Sequence, residues 1–154
     1  MSRYFQIGLC AAALAAIGIL AIFIHQHLQP EPVAEFGGVS LKIDYATSEA
    51  EREQGLGGLV NVPDDYGMLF VFPRDDYYGF WMKDMLVPID IFWLDVQGQV
   101  VSSAQDVATS TFPNVFYPSA PARYVLETIA GFARTHGVAT GTPLLLKNIP
   151  TVSK

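Results

Sequence analysis

The sequence predicts an α+β domain that is mostly β: a small antiparallel β-barrel-like sheet with two short helices, preceded by one N-terminal transmembrane or signal helix. Three observations predict it. Residues 7–24 (IGLCAAALAAIGILAIFI) carry no charge over 18 positions, about 27 Å as a helix and close to the hydrocarbon thickness of a bilayer. Beyond residue 38, short apolar runs recur between Gly, Pro and Asp turns, at strand rather than helix length. Two of them, GMLFVF (67–72) and IDIFWLDV (89–96), are apolar on both faces, the latter apart from Asp90 and Asp95, and such strands want a closed or nearly closed sheet. The alternative architecture is an open sheet with helices on one face.

The N-terminal run follows Arg3 and precedes His25, His27, Glu31 and Glu35. Positive charge ahead of it predicts that the N-terminus stays in the cytoplasm and the rest lies outside. The expected location is the inner membrane, single-pass, with the C-terminal domain in the periplasm; the membrane is then a partner through residues 7–24. The alternative is secretion to the periplasm after signal cleavage, with Pro32-Val33-Ala34 as the best local site although its proline fits poorly. Cys10 stands at the start of the run, behind Leu9, and does not read as a lipoprotein signal. Residues 1–25 are thus the anchor or signal segment. Residues 26–38, with Pro30, Pro32 and Gly37-Gly38, read as a linker, 39–149 as the soluble β-rich domain and 150–154 as a tail.

Within the domain, Val39, Leu41, Ile43 and Tyr45 alternate with polar or small residues, the pattern of a half-buried strand. Ser48 and Glu51 have capping-box spacing for a short helix that Gly55 ends. A loop over 56–65 leads to a strand at 67–72, ended by Pro73. Residues 78–83 (YGFWMK) and 89–96 are the next strands, the latter forming a hairpin with 99–103 through Gln97-Gly98. A long loop, 109–121, carries Pro113, Pro118 and Pro121. Residues 123–129 (RYVLETI) read as a strand from their β-branched and aromatic content, 130–136 as a short helix capped by Gly137, and 143–147 as the last strand.

Composition excludes several functions. Apolar residues make up 51% of the 154, which rules out wholesale disorder. The formal charge is −6, and from Glu31 onward 8 basic residues face 15 acidic ones. No nucleic-acid partner is expected, since phosphate neutralisation needs a basic face. One cysteine and three histidines build no disulfide framework, Cys-rich zinc site or iron–sulfur cluster. The acidic pairs Asp64-Asp65 and Asp75-Asp76 lack the alternating spacing of a calcium loop. No H-E-x-x-H pattern or phosphate-binding Gly loop occurs. No metal and no cofactor is expected.

The blocks GMLFVFP (67–73), FWMKDMLVPIDIFWLD (80–95), YPS (117–119) and RYVLE (123–127), with Glu51-Arg52 and Gly55-Leu56 upstream and Gly137 and Gly141 downstream, resemble the conserved family called domain of unknown function 192. The resemblance covers roughly residues 40–147. It implies a compact β-rich domain, often exported in bacteria, and no assigned reaction. The chain departs from the family pattern at Gly57-Gly58-Leu59-Val60, where a Met and an Arg are usual, and at Asp84-Met85, where Asn-Thr is usual.

The residues favour binding over catalysis. A Ser119–His136 pair with an aspartate as orienter would need a link that nothing in the sequence supplies, and His136 reads as a surface residue at a helix C-terminus. The aromatics, above all Trp81 beside Lys83, suit a ligand or a partner surface. Arg52, Lys83, Asp90, Arg123 and Glu127 are expected in one partly buried charged network beside an aromatic pocket, because charges among apolar residues must be paired. The candidate ligand-binding residues are Trp81, Lys83, Asp84, Asp90, Tyr117, Ser119, Arg123, Glu127 and Arg52. The expected function is a membrane-tethered extracytoplasmic module that binds an unknown small ligand or envelope protein. The alternative is an enzyme using buried carboxylates, Asp84, Asp90 and Glu127, as acid–base groups.

Overall fold

The computed structural model describes residues 33–146. The expected anchor at 7–24, the start of the expected linker and the 150–154 tail lie outside these residues. Among the described residues, no helix is long and apolar enough to cross a membrane.

The sheet begins six residues before the expected domain start. Strand β1 (Val33–Phe36) and β2 (Val39–Ala46) form an antiparallel hairpin. Gly37 and Gly38, read in the sequence as linker, are its two turn residues, with φ of +59° and +78°. A type I′ hairpin turn needs positive φ at both central positions, which glycine supplies without a Cβ penalty. Ala34 and Phe36 are buried, and the Phe36 ring lies 5.1 Å from that of Phe92 and 5.8 Å from that of Phe132. The expected linker at 26–38 is therefore corrected: from Val33 on it is strand and turn, with Ala34 and Phe36 in the core. A chain started at Val39 should lose cooperative urea unfolding, since removing Phe36 alone costs about 3–5 kcal/mol. One started at Glu31 should keep it, and equal unfolding midpoints would show that β1 contributes nothing.

Helix α1 (Glu49–Gln54) has the expected ends. The Ser48 hydroxyl accepts from the Glu51 amide, the Glu51 carboxylate accepts from the Ser48 amide at 2.8 Å, and Gly55 ends the helix. This helix connects β2 to β3 (Tyr66–Asp76), which pairs parallel to it. The expected stop at Pro73 is not observed. β3 runs on to Asp76, and its pairing has an irregularity between Val71 and Asp76, so Pro73 sits where no ladder hydrogen bond is needed. The six-residue strand expected at 78–83 shrinks to β4 (Phe80–Trp81). Its partner is β7 (Val115–Phe116), inside the expected loop. Strands β5 (Ile89–Leu94) and β6 (Val100–Val107) form the expected hairpin. Strand β8 (Ala122–Ile129), helix α2 (Phe132–His136) and β9 (Leu144–Leu146) follow the sequence reading closely.

Among the described residues the main sheet has seven strands in the order β6-β5-β8-β3-β2-β1-β9, and β4-β7 is a separate pair. The expected barrel is a curled, open half-barrel in a mixed α+β fold. Its two edges touch at the Gln99–Pro143 bridge, with the Leu144 amide donating to Gly98 O at 2.8 Å. The Val100 amide donates to Thr142 O at 3.0 Å and the Gly141 amide to Val100 O at 2.8 Å, so the contact continues into the turn before β9.

Both faces of the sheet are covered, which is why β5 is buried throughout. One face packs Phe36, Leu41, Leu69, Phe92, Leu94 and Leu126 against Phe132 of α2. The other packs Phe70, Ile91, Trp93 and Val125 against Leu56, Phe80 and Met82 from the connections. The period of two separates neighbours in sequence onto opposite faces.

Candidate functional site

Glu127 lies on β8 opposite Met68 of β3 and Ile91 of β5. Two residues from Val125, it shares the face that carries Phe70, Ile91 and Trp93. It is 4% exposed, and its Oε2 has no hydrogen-bond partner. Burial pushes its carboxyl from the ordinary 4.5 up to about 8, while a hydrogen bond from the Leu56 amide pulls the other way. At neutral pH this side chain holds a proton, because charge in a desolvated site without a partner is the costlier state.

Glu127 is part of the lining of a cavity of about 630 Å³. α1 and its C-terminal turn form one wall, the second half of β3 another, and residues 78–83 a third. Gly55 makes the close approach possible. Its φ of +50° suits glycine, and a Cβ there would stand 3.2 Å from the Phe70 ring and 3.4 Å from Glu127 Oε2. Phe72 stacks on Tyr78 with ring centroids 3.5 Å apart, and Phe80 meets Phe70 edge-on at 4.8 Å. Trp81 is 47% exposed, and its ring lies 6.0 Å from that of Phe112, so an aromatic surface continues outward from the cavity.

Arg52 is the half-buried cation of the lining. Its guanidinium carbon sits 5.3 Å from the Phe72 centroid, a cation–π distance. Nη1 donates to Val71 O at 3.3 Å and to Thr47 O. Among the described residues neither Arg52 nor Lys83 forms an ion pair, and Lys83 lines the same cavity from an exposed position. Arg74, also in the lining, is exposed and paired with Asp76 at 3.3 Å.

The single charged network expected from the sequence divides into separate arrangements. Arg52, Trp81, Lys83 and Glu127 line one cavity. Asp90, one strand over, has the parity of Phe92 and Leu94 and points to the opposite face, where its carboxylate accepts from three backbone amides: Asp106 at 2.7 Å, Ala133 at 2.8 Å and Gly131 at 3.3 Å. It is a structural clamp and shares no site with Glu127. Arg123 pairs with Asp75, Nε to Oδ1 at 2.7 Å. Asp84 is an exposed turn residue with φ of +58°, its carbonyl accepting from the Gly58 amide. Tyr117 is 65% exposed and packs beside Gly79. Ser119 is exposed, and its amide donates to Ser102 Oγ. His136 is half-buried with its ring 4.4 Å from that of Phe132, and no hydrogen bond joins it to Ser119.

The sequence reading missed Gly55 and Phe72 as parts of the site. The available signal was the reach of α1: a basic residue in its last turn and a glycine cap place Arg52 and Gly55 over whatever strand follows. Among the described residues no group of three His, Cys, Asp or Glu side chains is placed to hold a metal ion.

The family model described as "Uncharacterized ACR, COG1430" (DUF192) matches residues 33–146. A UPF0127 protein of Thermococcus gammatolerans (strain DSM 15229 / JCM 11827 / EJ3) is 32% identical over 101 residues, 64% of this chain and 62% of that protein. The chain therefore spans less than two thirds of the length of that relative. Two crystal structures share the fold. A protein from Sinorhizobium meliloti 1021 described as a "putative transcription regulator" matches with a TM-score of 0.68 and 26% identity, over 75% of this chain and 90% of that one. A protein of unknown function from Novosphingobium aromaticivorans DSM 12444 matches with a TM-score of 0.67 and 25% identity, over 73% and 82%.

Proposed function

The chain belongs to the DUF192 family, and on that premise we propose that the cavity around Glu127 is an acid–base site. In this reading the protein is an enzyme whose buried carboxyl donates a proton to a bound small molecule and takes one back. One observation carries it: a buried glutamate whose Oε2 has no hydrogen-bond partner lies in the lining of a cavity large enough for a metabolite. A carboxyl that titrates near neutral pH is poised for proton transfer in both directions. Arg52 and Lys83 hold the ligand, and the Phe72, Phe80 and Trp81 rings exclude water from one side of it. Of the three acids named from the sequence, only Glu127 has this geometry, so the proposed chemistry uses one carboxyl and not a pair.

The test is a comparison of small-molecule extracts incubated with the wild-type protein and with Glu127→Gln, read by mass spectrometry. At least one compound should be consumed by the wild type and spared by the variant. Equal consumption by both proteins, or none by either, sinks the acid–base reading.

Exposed Trp81 and Phe112 favour a second reading, a non-catalytic module that binds a small ligand or an envelope protein. In both readings the uncharged run at 7–24 is proposed to tether the domain to the outer side of the cytoplasmic membrane.

A further inference from the structure

We propose that the Glu127 cavity takes a small planar monocarboxylate, its anionic end on the free edge of the Arg52 guanidinium and its flat body against the Phe80–Trp81 wall. The inference rests on the cavity being the functional site and adds the class of molecule that fits it.

The argument starts from charge. The two hydrogen bonds of the Arg52 side chain both leave from Nη1 and both end on neutral carbonyls. Nε and Nη2 make none, and neither is among the buried atoms that lack a partner, so both are accessible on a residue that lines the cavity. A planar fork of two parallel N–H donors matches a carboxylate, which it binds bidentately. Glu127 does not supply that carboxylate, because burial keeps it neutral up to about pH 8. The other acids of the lining, Glu49 and Glu53, are exposed, where water screens them. The half-buried interior thus carries one positive charge with no counter-ion, which sets the ligand at one negative charge.

Size and shape follow from the walls. About 630 Å³ holds a small metabolite, and Phe72, Tyr78, Phe80 and Trp81 give the lining its aromatic character. The neutral Glu127 adds an O–H donor for a ligand oxygen. Binding is then coupled to the proton. Charged groups lining the cavity with Glu127 are Arg52, Glu49 and Glu53 from α1, Arg74 from β3, and Lys83. Tyr66, also on β3, is close enough for Glu127 to help raise its phenol. A bound anion favours protonated Glu127, so affinity is kept below the glutamate's folded-state value and lost as pH rises through it.

The experiment is calorimetric titration of the full chain in detergent with benzoate, its neutral isostere benzamide, and acetate. Benzoate should bind at least about tenfold tighter than either benzamide or acetate. Arg52→Gln should remove about tenfold or more of that affinity, with Arg52→Lys, which keeps charge but not the fork, in between. Benzoate affinity should fall about tenfold from pH 6 to pH 9, and Glu127→Gln should flatten that fall. Benzamide binding as tightly as benzoate overturns the inference without relying on any variant, and so does an Arg52→Gln protein with an unchanged melt and unchanged affinity. Failure of the acid–base reading looks different: benzoate binds with the stated pattern, yet Glu127→Gln and the wild type process extracts alike.

Discussion

Glu127→Gln should make the protein more stable at pH 7, by roughly 3 kcal/mol. The folded chain holds a proton on this carboxyl up to about pH 8, whereas an ordinary glutamate releases it near 4.5. The folded state therefore binds more protons than the unfolded state between those values. Whatever stability the neutral carboxyl confers is fully present below about pH 4.5 and drains away as pH rises to about 8. Glutamine has the same shape, no charge and no titration, so the variant escapes that loss. Urea unfolding at a series of pH values should give curves that converge near pH 4.5 and separate progressively above it, the variant always on the more stable side. A variant less stable at pH 7 would mean that the native carboxyl is ionised and paired. Alanine is a poorer probe, since it also leaves a cavity and adds a packing loss to the electrostatic gain.

Asp90→Ala should have the opposite effect, a loss of about 3–5 kcal/mol. Two of the three amides that Asp90 receives, Gly131 and Ala133, lie at the start of α2. That helix has Gly131 at its N-cap and no side-chain cap hydrogen bond there. Asp90, distant in sequence, supplies the oxygens that a capping serine or aspartate would normally provide. The third amide, Asp106, belongs to β6 at a residue with φ of +51°, so one carboxylate ties a helix to an irregular strand. Alanine leaves all three donors without an acceptor. Asparagine keeps one oxygen but turns an N–H toward a donor, and should lose about 1–3 kcal/mol. Urea unfolding followed by tryptophan fluorescence, with Trp93 fully buried in the adjoining core, reads both. A loss below about 1 kcal/mol for alanine would remove the clamp from the account.

Local chemistry was legible in the chain. Ser48, Glu51 and Gly55 encode a helix through contacts three and four residues apart, and the alternation of β2 shows its buried side without reference to any partner. Distant pairing was not legible. Gly37-Gly38 is a hairpin turn because β1 is held between β2 and β9, and β9 lies more than a hundred residues on. The same limit governed the site. Arg52, Trp81, Lys83 and Glu127 were nameable because charged or amphipathic side chains in apolar runs need an explanation. Asp90 was grouped with them because sequence gives spacing and not facing. Once Ile91 is known to sit opposite Glu127, the period of two sends Asp90 to the other side.

The pairing of β1 with β9, Ala34 opposite Leu146, also has a consequence in time. A ribosome or a translocation channel delivers the first strand long before the last. Until Leu144–Leu146 emerge, β1 presents an unsatisfied edge, and the sheet cannot curl to its final shape. Contacts so far apart in sequence form slowly, because the intervening chain must lose its freedom before they are made. A growing chain should therefore stay open to threading, or to a chaperone, until Leu144–Leu146 have emerged, and a ribosome stalled just short of that strand should display a protease-sensitive nascent domain.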